Sequence, residues 1–247
     1  MNKNLLKRIV LTSAIAVLGV STSFAALVME RDQSVDTAPS VGMYRFEVPV
    51  ELQGTYNSAG VANLTASMEK EPNTLSMNVA HVKGNPSESY VVEIYKDLAA
   101  IETHRKSDHY QAFVNEVGSK LTNRKMYDVQ SVLLFEKKDA LSIVNDGKAV
   151  VTLTEFTVDS NEIDTVQRQY QLDMERAVRD DVGYKVGYVL RERNAKNRWY
   201  VIQIYSDQEA LTKHLNSPGY RFMMSQIQGS LQGVTTKVLD GDILVNH

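Results

Sequence analysis

The chain says the same thing twice. Tyr90-Val91-Val92-Glu93-Ile94-Tyr95-Lys96-Asp97 returns as Tyr200-Val201-Ile202-Gln203-Ile204-Tyr205-Ser206-Asp207, and the match continues without a gap at an offset of 110 residues. Ala100 meets Ala210, Ile101 meets Leu211, His104 meets His214, Ser107 meets Ser217 and Tyr110 meets Tyr220; upstream, Phe46 and Val48 meet Phe156 and Val158. A period this long is a whole domain, not a solenoid unit of about 20–50 residues. The chain is therefore two copies of one small domain, and each candidate residue can be judged against its counterpart.

Each copy spells the same order of elements. In the first, Tyr44 to Val50 alternates like a strand, and Val61, Leu64 and Met68 fall at helical spacing within 57–70, before Pro72-Asn73 stops the helix. Leu75 to Val82 reads as a second strand, Gly84-Asn85-Pro86 as a turn, and Tyr90 to Tyr95 as a third strand rich in β-branched and aromatic residues. Asp97 is placed to cap a short helix through His104, and Ser107 to cap a second one ending near Val117. The counterpart Ser217-Pro218 sharpens this, because a proline after the cap suits the first helical position. Tyr127 to Phe135 is the fourth strand. The second copy gives strands at 150–158, 184–191, 199–205 and within 235–245, a helix at 163–178 and a broken helix at 208–227.

The order βαββαβ predicts α+β architecture: two tandem ferredoxin-like domains, 43–136 and 149–247, each an antiparallel sheet with its helices on one face. On the third strand both alternating sets, Tyr90, Val92, Ile94 and Val91, Glu93, Tyr95, are largely apolar, so both sheet faces need cover. Helices cover one. The sheet of the other copy is expected to cover the second, as an intrachain dimeric α+β barrel. Residues 137–148 read as the linker, with a turn at Asn145-Asp146-Gly147.

Residues 1–25 read as a secretory signal peptide: Lys3, Lys7 and Arg8 precede an apolar run from Ile9 to Val20, and Ser23-Phe24-Ala25 supplies small residues for cleavage after Ala25. The run is short for a membrane span, so no stable anchor is expected, and 26–42 reads as a tail. The expected location is the periplasm or outside the cell. Removing three cations leaves 24 Lys and Arg against 30 Asp and Glu, a net charge of −6, which argues against a nucleic-acid partner. The absence of cysteine excludes disulfides, thiolate metal sites and a cysteine nucleophile.

The stretch Glu93-Ile94-Tyr95-Lys96-Asp97, followed by His104-Arg105-Lys106-Ser107-Asp108-His109-Tyr110-Gln111-Ala112-Phe113, resembles the antibiotic biosynthesis monooxygenase family. That pattern is a strand ending in tyrosine, a short helix with a histidine, then Ser-Pro-His and an aromatic. The resemblance covers both copies and departs at Asp108, where the second copy keeps Pro218. It implies a pocket between helices and sheet. Some members of the family are cofactor-independent quinol monooxygenases. The haem-degrading branch relies on a tryptophan in the broken helix and a histidine further on. Here the one tryptophan, Trp199, lies on a strand, and no histidine falls between Tyr110 and Gly118, so haem degradation is not expected.

Candidate catalytic residues are His104, His109 and Glu93, with Tyr95, Tyr110, Phe113, His214 and Tyr205 as candidate substrate contacts. Two readings of His104 stand: a proton acceptor for a phenolic substrate, or a cap for the carbonyls at the end of its helix. His109 discriminates between the copies, because its counterpart is Gly219. A carboxylate at Glu93 among apolar neighbours would have a raised pKa; Gln203 keeps that shape without the charge. The expectation is oxidation of a small aromatic or quinol substrate by O2, with no bound cofactor and no metal. A second reading is a non-catalytic binding module for a small hydrophobic molecule, and a third, ranked below it, is haem binding, for which His109 could ligate iron. The partner is in each case a small hydrophobic or aromatic molecule.

Overall fold

The computed structural model describes residues 39–137, 141 and 147–246. The expected signal peptide, most of the tail and most of the linker with its turn lie outside the described residues. The first repeat holds β1 (Ser40–Glu47), α1 (Gln53–Lys70), β2 (Thr74–Val82), β3 (Asn85–Tyr95), α2 (Leu98–Lys106), α3 (Asp108–Glu116), β4 (Thr122–Met126) and β5 (Val129–Glu136). The second holds β6 (Val150–Val158), α4 (Ile163–Asp180), β7 (Tyr184–Glu192), β8 (Arg198–Tyr205), α5 (Gln208–Asn216), α6 (Pro218–Ile227) and β9 (Leu231–Asn246). Adding 110 to the bounds of α1, β2 and α2 gives those of α4, β7 and α5, so the sequence offset is also the structural one. β1 starts earlier than the apolar alternation, because Ser40 to Met43 complete the antiparallel ladder with Tyr95 to Val92.

The caps form as their residue types require. Asp97 accepts from Ala100 N at 2.9 Å and Asp207 from Ala210 N at 2.8 Å. Ser107 and Ser217 accept from Tyr110 N and Tyr220 N and hold the break between the paired helices. Such a cap is worth about 1 kcal/mol, enough to fix where each helix begins.

The strands described form one antiparallel sheet in the order β4-β1-β3-β2-β9-β6-β8-β7-β5. Its two ends, β4 and β5, are consecutive pieces of one strand interrupted at Tyr127-Asp128, so the sheet closes on itself as a barrel. Each fourth strand serves both repeats. β9 begins beside β6 of its own repeat and ends beside β2 of the first, from Val82↔Leu239 to Ser76↔Asn246. β4 likewise lies against β1, while its continuation β5 pairs with β7 of the second repeat. The two domains therefore pair within the chain, as expected.

The third strand sorts its residues as the alternation demands. Tyr90, Val92 and Ile94 pack inside the barrel with Tyr200, Ile202 and Ile204. Val91 and Tyr95 pack outward, under α1 and α2, with Leu64, Ala100 and Ile101. In the second repeat Phe156, Val166, Tyr170, Met174 and Trp199 form the corresponding outer cluster. Burying each such large apolar side chain contributes about 1.5–3 kcal/mol. Among the described residues no helix is long and apolar enough to cross a membrane.

Candidate functional site

The two repeats differ most in the layer between helices and sheet. In the first, α1, α2 and α3 stand over a cavity of about 40 Å³ whose walls include Phe46, Leu64, Val79, Val91, Phe113 and Ile243. Ile243 belongs to β9, so the second repeat completes the first repeat's cavity. The space exists because α1 carries glycine where the wall comes closest: a Cβ on Gly60 would lie 2.9 Å from Ile243 Cδ1. The counterpart of Gly60 is Tyr170, buried and stacked on Phe156 with ring centroids 5.9 Å apart. The second repeat is thus plugged by its own tyrosine.

Seven lining residues carry a polar group: Tyr44, Tyr56, Asn63, Glu93, His104, Arg105 and Tyr110. His104 is 1% exposed. It does not cap its own helix; its Nδ1 lies 3.0 Å from Glu71 Oε2 and 3.3 Å from Ser67 Oγ. Glu71 sits at the C-terminal end of α1, where the chain turns into β2. Burial opposes its ionisation, but hydrogen bonds from His104 and Thr74 and the nearby imidazoles outweigh that and hold its pKa below the usual value. An ionised carboxylate accepts only, so the neutral His104 ring carries its proton on Nδ1 and leaves a lone pair on Nε2. Nε2 has no hydrogen-bond partner, and neither has Asn63 Oδ1, although both are buried. Two unpaired buried polar atoms on one cavity are costly unless something enters to pair them.

The expected residues separate by position. Glu93, His104, Tyr110 and Phe113 line the cavity. Tyr95 stands behind it, 5.7 Å from the His104 ring, and donates to Glu93 Oε2 at 3.0 Å. Burial raises the Glu93 pKa, partly countered by His104, by the Tyr95 hydrogen bond and by Arg105. His109 does not reach the cavity lining; its Nε2 lies 2.7 Å from Glu71 Oε1, on the outer side of that carboxylate. Tyr205 and His214 belong to the plugged repeat.

Sequence reasoning missed Glu71, Asn63, Arg105 and Gly60. Glu71 has a signal at the shared offset, since Asp181 keeps its charge. In the second repeat His214 Nδ1 lies 2.9 Å from Asp181 Oδ2, while its Nε2 lies 3.4 Å from Asp173 Oδ2. Asp173 replaces Asn63, so both nitrogens of His214 face carboxylates, with Nδ1 hydrogen-bonded to Asp181 and Nε2 left without a hydrogen-bond partner, as it is in His104. His109 is likewise substituted. Arg176 binds Asp181 at 2.8 Å and Asp173 at 3.0 Å, and a Cβ on Gly219 would lie 2.1 Å from its Nε. The pair Ala66 with His109 has thus become Arg176 with Gly219.

Among the described residues Glu71, His104 and His109 are the one group able to share a metal, with one ligand atom from each all within 4.8 Å. Both imidazoles and the Thr74 hydroxyl, the latter at 2.7 Å, converge on the Glu71 carboxylate and engage both its oxygens.

Several solved structures share the architecture. A "putative monooxygenase" from Lactobacillus acidophilus superposes with a TM-score of 0.76 at 19% identity, over 85% of this chain and 96% of that one. One of the same description from Fusobacterium nucleatum gives 0.73 at 20% identity, over 85% and 95%. An anthrone oxidase-like protein gives 0.52 at 11% identity, over 86% and 93%. At these identities the likeness is one of fold. No curated protein matches the chain. The antibiotic biosynthesis monooxygenase family matches twice, over residues 41–116 and 149–225, and the chain belongs to that family as a tandem of two such domains.

Proposed function

We propose that the first repeat is a cofactor-independent monooxygenase site for a small aromatic or quinol substrate and that the second repeat is its scaffold. The observation that carries this reading is the buried, unpartnered Nε2 of His104 on a cavity whose counterpart position in the second repeat is filled by Tyr170. Glu71 fixes the ring tautomer, as an orienting carboxylate does for a catalytic histidine. Nε2 takes the proton of a phenolic hydroxyl, and Asn63 Oδ1 accepts from a second hydroxyl or from water. The resulting phenolate gives one electron to O2. The aryloxyl radical and superoxide then combine at a ring carbon, and the peroxide regains the proton held on His104. Loss of the hydrogen on that carbon then breaks the O–O bond, leaving one oxygen on the ring as a carbonyl and releasing the other as water. For a hydroquinone the sum is quinol plus O2 to hydroxyquinone plus water, with all four electrons supplied by the substrate.

Oxygen uptake by the mature protein with a reduced naphthoquinol, in the presence of chelator and without added flavin, tests this. Uptake above autoxidation that His104→Ala removes is the expected result. Uptake unchanged in that variant refutes the assignment. The second reading, a binding module for a small hydrophobic molecule, is favoured by the apolar wall of the cavity, formed by Phe46, Leu64, Val79, Val91, Phe113 and Ile243. Ligand binding without oxygen uptake would establish it. The reading includes export: residues 1–25 carry the signal-peptide pattern, and the mature protein is expected to begin at Ala26.

A further inference from the structure

Arg105 is the one permanently charged group on the first cavity, and its counterpart is Leu215. His104 and Asn63 are buried at 1% and 5%, whereas the Arg105 side chain is 29% exposed and Tyr44 beside it is half-buried. The cavity therefore has a neutral polar inner end and a cationic mouth. The other ionisable groups facing Arg105 are Glu102 on its own helix, Glu93 on β3, Tyr44 on β1 and Tyr110 on α3. None neutralises it firmly. The Glu102 contact is 3.4 Å long with a carboxylate 48% exposed, a pair of the kind that contributes little. Glu93 already accepts from the Tyr95 hydroxyl at 3.0 Å, on the inner side of the layer.

A cation at the mouth needs a purpose here, because the plugged repeat dispenses with it. The chain as a whole is acidic, at −3, and does not draw anions by its overall field. We propose that the occupant of the first cavity is an aromatic acid: a phenol whose hydroxyl meets His104 Nε2 and Asn63 Oδ1, and whose carboxylate meets Arg105 and the Tyr44 hydroxyl. A planar guanidinium suits a carboxylate through paired N–H donors. The inference rests on the functional reading above for the identity of the cavity, and it adds the acidic substituent.

The test compares acid and amide of one ring by titration calorimetry on the mature protein, at low salt. The probes are 4-hydroxybenzoate with 4-hydroxybenzamide, and 1-hydroxy-2-naphthoate with its amide. The expected result is that at least one acid binds about tenfold more tightly than its amide, the size of one charged hydrogen bond. R105L, which copies the second repeat, should bring the acid down to the level of the amide, and R105K should retain part of the preference. An acid-to-amide ratio near one, a preference unchanged in R105L, or no binding of either acid overturns the proposal. Because binding is read without turnover, its failure is distinct from failure of the oxygenase reading, which oxygen uptake decides.

Discussion

Exchanging the plug between repeats would separate the cavity's chemistry from the stability of the fold. Gly60→Tyr places in α1 the side chain that α4 already carries at Tyr170. Two terms favour it. Filling about 40 Å³ of empty space returns about 1 kcal/mol at roughly 24 cal/mol per Å³. Replacing a helix-interior glycine adds about 0.5 kcal/mol. One term opposes it: the ring exceeds the space, its Cβ starts 2.9 Å from Ile243 Cδ1, and overpacking costs about 1–3 kcal/mol. The single variant should therefore melt near the wild-type temperature. Adding Tyr56→Val and Ile243→Leu, the counterparts Val166 and Leu133, relieves the crowding, and this triple variant should gain about 1 kcal/mol, or about 2–4 °C. Both variants should lose at least about 99% of oxygen uptake, a factor of 100 being equivalent to about 2.7 kcal/mol in the barrier. The reciprocal Tyr170→Gly should cost about 3–5 kcal/mol and yield no activity, since Gln203, Asp173 and Leu215 remain. Scanning calorimetry and an oxygen electrode read the two quantities separately. A stable Gly60→Tyr protein with full turnover would refute the placement of the chemistry in this cavity.

Other outcomes follow from the same geometry. Glu71→Gln should lower kcat by about 10²–10⁴, the contribution of a positioned general base, with KM little changed; a normal kcat would show that the tautomer is fixed otherwise. The depressed pKa of Glu71 means that its stabilising effect is present above the unfolded value near 4.5 and is lost as pH falls through the lower folded value; acid unfolding of Glu71→Gln should show a correspondingly shallower pH dependence. Glu93 has the opposite sign: its raised folded pKa makes ionisation costly as pH rises above about 4.5, so Glu93→Gln should raise the melting temperature at pH 7 and lose that advantage at pH 4. Ala66→Arg should be poorly tolerated beside His109 and rescued by His109→Gly, giving a coupling of about 1–3 kcal/mol in a double-mutant cycle; additive effects would mean that Arg176 and Gly219 are not an exchanged pair.

The fold was legible because each ambiguous segment appears twice. Pro218 clarified what Asp108 leaves open, and two sets of apolar residues on the third strand demanded two covered faces. The exchange of fourth strands was not legible: nothing in Leu231 to Asn246 marks where its partner changes from β6 to β2, because a backbone ladder accepts either neighbour. His104 and Glu93 could be picked out as the histidine and carboxylate on expected pocket elements. Glu71 could not, because it follows a helix end and takes its meaning from two imidazoles more than thirty residues away. Gly60 was invisible to periodicity, which registers where side chains are and not where one is withheld. Comparing it with Tyr170 at the common offset would have exposed the cavity.

Joining the repeats in one chain changes what inheritance can do with them. In a dimer of identical chains a single codon sets both pockets, so a tyrosine that fills one fills the other, and stability and chemistry compete for the same position. Here Gly60 and Tyr170 are separate codons, and so are His109 and Gly219. One copy is free to accumulate the tyrosine plug and the ion pairs of Arg176 while the other keeps its polar-lined cavity. Because β9 lends Ile243 to the first cavity, the plugged copy still supplies part of the wall on which the other copy's cavity depends.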